Sequence, residues 1–181
     1  MIELLDSLPE NCRNVAIMPL ETPGVIAALR RALERGTRIV QLDRYIEGLP
    51  SSAIVFDNYR GGALATRHLL SRSKEPVYFF GCLNPVSCRK RFQGWQDSMR
   101  DAGFLNLTQY VIPYPDDSLV EVMNPEEFFA ACRDRLRTFL RQTDRPVSIF
   151  SVNDAWARQV YEVAAELHRN IGHDIRVVGF D

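Results

Sequence analysis

Alternation of short apolar runs with amphipathic stretches is the sequence feature that most restricts the fold of this chain. Strands of continuous apolar residues that alternate with helices are typical of a parallel sheet covered on both faces. The sequence therefore predicts an α/β fold with parallel sheets flanked by helices. The predicted strands are residues 15–18, 39–42, 53–56, 77–80, 110–112, 147–150 and 175–179.

Helix start and stop signals separate these runs. Thr22-Pro23 and Asn124-Pro125 each combine a capping residue with proline at the first helical position, which predicts a helix start. Gly36 and Gly103 follow amphipathic stretches as stop signals. The remaining apolar periodicity predicts three further helices, over residues 58–70, 88–102 and 153–170.

Composition excludes several classes of protein. Lys and Arg total 22, Asp and Glu total 23, and the net charge of −1 argues against a whole-chain nucleic-acid interface. No apolar run approaches the roughly 20 residues that span a bilayer. The N-terminus carries acidic residues and no basic cluster, so a secretory signal is not predicted. The four cysteines are scattered, which favours free thiols in a reducing compartment and a cytoplasmic location.

Signatures of catalysis and of cofactor binding are absent from the sequence. No G-x-G-x-x-G follows a strand, and neither a G-K-S/T nor a G-x-S-x-G motif occurs. His168 and His173 lie near a predicted helix end, where a solvated position is a simpler interpretation than a metal site. We therefore predict no cofactor, no metal and a non-enzymatic function, with a doubly wound enzyme as an alternative.

Polar residues follow the predicted strands at the edge where ligands bind in α/β folds. The loops concerned are residues 19–22, 43–44, 57–58, 82–91, 153–154 and 181. Within them, Asp43, Arg91, Asn153 and Asp181 offer the carboxylates, guanidinium and amide that hydrogen-bond a polyol or a heterocycle. Each of three has a structural alternative: Asn153 as a helix cap, Arg91 as a solvated helix residue, and Asp43 as a turn residue.

Ordered motifs resemble those of the lac repressor (LacI/GalR) family effector-binding domain. The segment that begins at Asp57 follows D-N-x-x-G-x-x-x-A-x-x-H-L, and residues 87–95 follow S-x-x-x-R-x-x-G-[FW]. Residues 149–157 resemble I-F-x-x-N-D-x-x-A, and residues 175–181 resemble I-S-V-V-G-F-D. Residues 39–44 and 77–81 resemble two strand motifs of the same family. The resemblance runs from about Asn14 to Asp181.

This resemblance implies a periplasmic-binding-protein-like fold of two α/β lobes around a ligand cleft. Residues 1–56 would form a partial N-lobe and residues 57–181 the C-lobe. Ligand contacts of the family would fall on Arg91, Asn153 and Asp181, with Asp43 as a candidate from the N-lobe. The helix-turn-helix, the first strand–helix–strand of the N-lobe and everything after Asp181 would be missing. We expect such an incomplete N-lobe to leave a sheet edge and apolar surface uncovered.

The function that the resemblance implies is ligand sensing in a bacterial transcriptional regulator. The expected partners are a small-molecule effector, such as a sugar or sugar derivative, and operator DNA bound through the missing N-terminal domain. A homodimer is expected, and a membrane partner is not. The alternative is a sugar-binding protein of a transport system with the same fold.

Overall fold

A computed structural model describes residues 1–9, 11–84, 86–116 and 123–181 of the chain. The predicted ligand loop over residues 82–91 is therefore described except for residue 85, which lies outside the described residues. The α-helices are α1 Ile2–Asp6, α2 Pro23–Glu34, α3 Asn58–Arg72, α4 Val86–Asp101, α5 Pro125–Arg141 and α6 Asp154–Glu166. The strands are β1 Asn14–Ile17, β2 Arg38–Leu42, β3 Ser52–Ile54, β4 Val77–Phe80, β5 Val147–Ser151 and β6 Ile175–Gly179.

The described chain divides into two compact units, each with its own parallel sheet. Unit 1 comprises residues 1–57 together with 84–87, and unit 2 comprises residues 58–83 and 88–181. The strand order is β1-β2-β3 in one sheet and β4-β5-β6 in the other, and every paired strand is parallel. These findings confirm the predicted α/β class with parallel sheets flanked by helices.

In unit 1, the helix α2 packs on one face of the sheet. Leu29 of α2 is fully buried and shares a hydrophobic cluster with Ile39 of β2. The loop from β2 to β3 crosses over without a helix and is held by the buried side chain of Gln41. Its Oε1 accepts a hydrogen bond from the Ile46 N–H at 2.8 Å, and its Nε2 donates to Ser51 Oγ at 2.9 Å.

The strand predicted over residues 53–56 is present, but it ends two residues earlier than predicted and is exposed rather than covered. Strand β3 spans Ser52–Ile54 at the edge of the sheet, and all three of its residues are exposed. Phe56, which the prediction placed in the strand, is 61% exposed. Along β2 the buried residues Ile39 and Gln41 alternate with more exposed neighbours, so only one face of this sheet is well covered.

The sheet of unit 2 is covered on both faces. Phe79 packs against Trp95 of α4, whereas the next residue, Phe80, packs against Trp156 of α6. Because successive side chains of a strand point to opposite faces, these two contacts lie on opposite sides of the sheet. The central strand β5 is buried at all five positions.

The prediction of a strand over residues 110–112 was also wrong. Leu107–Tyr110 forms a 3₁₀ helix, and Val111 makes only an isolated parallel bridge to Phe79. The Ile112 N–H donates to the Phe79 carbonyl at 2.9 Å. Pro113 follows and has no N–H, so it cannot continue the ladder.

The predicted helix caps at Thr22 and Asn124 are confirmed, but one predicted helix is shorter than expected. The side chain of Thr22 accepts from the Val25 N–H, and that of Asn124 accepts from the Glu126 N–H. The helix predicted over residues 153–170 is α6, which ends at Glu166. His168 has a φ of 53°, a left-handed conformation that does not continue an α-helix.

Candidate ligand-binding site

Three of the four predicted site residues belong to unit 2. Asn153 and Asp181 each lie two residues beyond the carboxyl ends of the neighbouring strands β5 and β6. Because these strands are parallel, the two residues follow the same edge of the sheet. Arg91 belongs to α4, and its guanidinium contacts the residues that immediately precede Asn153 and Asp181.

Arg91 is almost completely buried, with 3% of its surface exposed. Its Nε donates to Asn58 Oδ1 at 2.7 Å, and its Nη1 donates to the Val152 carbonyl at 3.0 Å. The guanidinium carbon lies 5.2 Å from the centre of the Phe180 ring, within the range of a cation–π interaction. Arg91 is thus not a solvated helix residue, and the alternative interpretation of this position is wrong.

The guanidinium of Arg91 retains donors for a ligand. An arginine side chain has five N–H donors, and two of those on Arg91 are used in bonds to the described residues. The other three N–H groups have no hydrogen-bond partner among the residues that the structure describes. Hydrogen bonds that involve a charged group contribute about 1.5–3 kcal/mol each, so an acceptor-rich ligand would gain substantially from this position.

Asn153 is a helix cap. Its Oδ1 accepts a hydrogen bond from the Trp156 N–H at 3.2 Å, at the start of α6. This bond uses the carbonyl oxygen of the side chain and leaves its NH₂ group without a partner among the described residues. The structural alternative for Asn153 is therefore correct, and it is compatible with donation to a ligand by the same side chain.

Asp181 and Asp43 present carboxylates in different units. Asp181 is exposed and follows Phe180, whose ring lies over Arg91. Asp43 belongs to unit 1, where it follows β2 with a φ of 61° and its N–H donates to the Ile54 carbonyl. Asp43 thus occupies a tight turn, as its structural alternative predicted.

Asn58 and Phe180 were not singled out as individual site residues by the sequence. Both lie inside recognised motifs, D-N and G-F-D, but a motif does not show which of its side chains contact each other. Their roles depend on contacts between residues 33 and about 90 positions apart in the chain. The only sequence signal was their position at the carboxyl edge of predicted strands.

Metal-binding groups are not clustered in the described part of the chain. Among those residues, no three His, Cys, Asp or Glu side chains are placed so that they could hold a metal ion. None of the helices that the structure describes is both long and apolar enough to cross a membrane.

The described residues thus form two α/β units with parallel sheets, and one of the units carries polar side chains at the carboxyl edge of its sheet. The family model described as "Periplasmic binding protein-like domain" matches residues 66–181. Because this match covers more than half of the chain, the chain belongs to that family.

Similar curated proteins are bacterial repressors. The chain is 32% identical over 132 residues to the ribose operon repressor of Escherichia coli K12, covering 72% of this chain and 37% of the repressor. It is 27% identical over 150 residues to the arabinose metabolism transcriptional repressor of Halalkalibacterium halodurans, covering 82% of this chain and 38% of that protein. The chain thus spans less than two fifths of the length of either relative.

Solved structures of LacI family regulators have a similar fold. A LacI family transcriptional regulator from Enterococcus faecium, crystallised with bound ribose, superposes with a TM-score of 0.73. The sequence identity is 20%, and the match covers 99% of this chain and 61% of that chain. The similarity to curated repressors, together with this shared fold, confirms the resemblance that the motifs indicated.

Proposed function

We propose that the chain is the ligand-sensing part of a bacterial LacI/GalR-type transcriptional regulator. Its effector would be a small polar molecule, such as a sugar or sugar derivative. The observation that carries the proposal is the buried Arg91 beside the carboxyl ends of β5 and β6, with three N–H donors that no described residue engages. Support comes from the repressors of ribose and arabinose metabolism that the chain resembles.

Hydroxyl groups are the ligand chemistry that suits this edge of the sheet. A hydroxyl oxygen accepts from Arg91 and from the free NH₂ of Asn153, and its hydrogen is donated to the Asp181 carboxylate. A polyol meets all three requirements with neighbouring groups. Asp43 is proposed as a further contact from unit 1, which would correspond to the N-lobe (residues 1–56), with residues 57–181 as the C-lobe.

Regulation would follow from different ligand affinities of two lobe arrangements, since only such a difference shifts a conformational equilibrium. Operator DNA would be bound through a separate helix-turn-helix, and a homodimer in the cytoplasm would be the working form. The protein would need no cofactor and catalyse no reaction. A sugar-binding protein of a transport system is the alternative, and the repressor names of the curated relatives favour regulation over it.

A sugar screen tests the proposal. D-ribose, L-arabinose and other sugars are titrated into the chain, and the melting temperature and heat of binding are recorded. A ligand at 100 times its Kd stabilises the protein by about 2.7 kcal/mol, which shifts the melting temperature by several degrees. We expect at least one sugar to produce this shift.

Two arginine variants locate the binding. Arg91→Gln should abolish the shift, whereas Arg133→Gln should preserve it. Arg133 lies in the same unit and bonds Gln159 and Glu162 on α6, neither of which is a proposed ligand contact. A sugar that binds Arg91→Gln as tightly as the parent would show that the site is assigned to the wrong residues.

A further inference from the structure

Arg91 is held in a fixed orientation by two residues that the proposed function does not itself use as ligand contacts. We propose that Asn58 and Phe180 are positioning residues for Arg91, and that Phe180 couples Arg91 to Asp181. The consequence for ligand affinity rests on the proposed function. The orientation of Arg91 itself can be measured without any ligand.

Asn58 fixes one edge of the guanidinium. It is the first residue of α3, it is 6% exposed, and its Oδ1 accepts from Arg91 Nε. On the other side, the Val152 carbonyl accepts from Nη1. Two bonds to different nitrogens prevent rotation of a planar group, so the directions of the three remaining N–H groups are determined.

Phe180 fixes the face of the same group. The guanidinium carbon of Arg91 lies 5.2 Å from the centre of its ring, and the same ring also lies close to Gly61 of α3. A Cβ atom at Gly61 would collide with the ring, so this glycine provides the space that the ring occupies. The ring therefore contacts both α3 and Arg91.

The backbones that carry these side chains are also in direct contact. A Cβ at Gly62 of α3 would collide with the carbonyl oxygen of Arg91, and one at Gly94 of α4 would collide with the backbone of Tyr59. Close approach through glycine fixes the spacing of α3 and α4.

Coupling to Asp181 follows from covalent connection. Phe180 is the residue before Asp181 and its ring is the partner of the guanidinium. A backbone shift at position 180 would therefore move both the ring and the Asp181 carboxylate. Arg91 and Asp181 should therefore act as one unit in binding. A smaller, non-aromatic side chain at position 180 would weaken the ligand contacts of both Arg91 and Asp181, although neither residue is itself changed.

Hydrogen exchange at the Arg91 side chain is the direct test. In a ¹⁵N-arginine-labelled chain, the Nε–H signal of Arg91 is identified by its loss in Arg91→Lys, and its exchange with water is followed by NMR. We expect slow exchange in the parent and about tenfold or faster exchange in Phe180→Leu and in Asn58→Ala, since each removes a partner of a charged group. Phe180→Tyr, which keeps an aromatic ring, should restore slow exchange.

A matched control separates positioning from a general loss of stability. Phe139→Leu changes another half-buried phenylalanine of unit 2, which packs on Tyr78, and should leave the Arg91 signal unchanged. Circular dichroism checks that each variant folds, and Asn58→Ala provides the measurement if Phe180→Leu does not. Equal exchange rates in the parent and in the folded variants would overturn the proposal.

A binding arm keeps this inference distinct from the proposed function. With D-ribose, or with the sugar that binds best in the screen, Phe180→Leu should lose about tenfold or more in affinity, while Phe139→Leu keeps the affinity of the parent. If the exchange rates behave as expected but no sugar binds the parent, the proposed function fails and the positioning of Arg91 stands. If a sugar binds and Phe180→Leu binds it equally well, the coupling to Asp181 is wrong.

Discussion

The central strand of unit 2 and the edge strand of unit 1 differ sharply although both are short, largely apolar runs. Strand β5 is buried at every position, whereas strand β3 is exposed at every position. The cause is their surroundings: β5 lies between two strands with aromatic contacts on both faces of its sheet, whereas β3 has one neighbour. An apolar run therefore indicates a strand, but the number of elements that cover it decides how much it stabilises the fold.

The candidate site residues of unit 2 and unit 1 differ in the same way, since those of unit 2 are held by more of their surroundings. Arg91 is surrounded by the covered sheet and helices of unit 2, and its orientation is fixed by three contacts. Asp43 lies in a turn of unit 1, where its carboxylate is 3.9 Å from the Nε of the adjacent Arg44. A ligand contact gains from a preorganised donor, so we expect Arg91 to contribute more to binding than Asp43.

The largest change in unfolding free energy is expected when a buried isoleucine of unit 2, rather than an exposed one of unit 1, is replaced by alanine. Ile149 of β5 is fully buried and Ile54 of β3 is 67% exposed. Ile149→Ala should lower the free energy of unfolding by about 2–5 kcal/mol, because it leaves a cavity in the core. Ile54→Ala should change it by about 0.5 kcal/mol or less. Urea unfolding followed by circular dichroism measures both, and similar losses for the two variants would contradict the difference between the units.

Two arginines provide the next comparison. Arg169 in unit 2 donates to the backbone carbonyls of Leu140, Thr143 and Arg145, which ties the end of α5 to the chain that follows α6. Arg169→Ala should cost about 2–3 kcal/mol, since it leaves these carbonyls without their charged donor.

Arg31 in unit 1 is the control for Arg169. It pairs with Asp6 on the surface, where the two side chains are 47% and 39% exposed. Arg31→Ala should cost about 1 kcal/mol or less, and 1 M salt should reduce that cost further. A larger loss for Arg31→Ala than for Arg169→Ala, measured by the same urea titration, would reverse the expected order.

Alkaline pH should weaken unit 2 through a buried thiol. Burial raises the pKa of Cys132 from 9.0 to about 12. The unfolded thiol loses its proton above pH 9 while the folded thiol keeps it, so stability is complete below pH 9 and falls between pH 9 and 12. At pH 10 the loss should be about 1.4 kcal/mol.

Cys132→Ala removes this dependence. The difference in unfolding free energy between the parent and Cys132→Ala should be constant from pH 7 to 8.5 and then shift against the parent as pH rises. A difference that stays constant up to pH 10.5 would show that the thiol ionises as easily in the folded protein as in the unfolded one.

The smallest expected effect concerns helix caps, one in each unit. Thr22→Ala and Asn153→Ala should each cost about 1 kcal/mol, because each removes the acceptor for a backbone N–H at a helix start. Asn153→Asp retains a capping oxygen and should preserve stability, but it replaces the free NH₂ donor with an acceptor and should weaken sugar binding. Sugar affinity that is unchanged in Asn153→Asp would limit this residue to its role as a cap.

Much of the fold could be predicted because its signals are local. The bounds of β4 and β6 agree with their apolar runs, and the caps at Thr22 and Asn124 depend on side chains within three residues. The segment 110–112 was mispredicted because Pro113 and the neighbouring strand, not local apolarity, determine whether a ladder forms. Residues 53–56 were mispredicted because apolarity does not show how many elements cover a strand.

The candidate site was predictable in part for the same reason. Motif positions identified Arg91, Asn153 and Asp181, and parallel strand order placed two of them at one edge. The orientation of Arg91 was not predictable, because it depends on Asn58 and Phe180, which are distant in sequence. Contacts of this kind arise from the packing of α3 on α4. The only sign of that packing in the sequence is the glycines that allow the two helices to approach closely.

We propose above that a polyhydroxylated ligand binds through the preorganised donors of unit 2. The most direct measurement is a ¹⁵N–¹H NMR titration of the chain with the sugar that raises its melting temperature. We expect the signals of the Arg91 Nε–H, the Asn153 side-chain NH₂ and the Asp181 backbone N–H to shift together along one binding curve. Shifts confined to other residues, or no shift with any sugar tested, would contradict it.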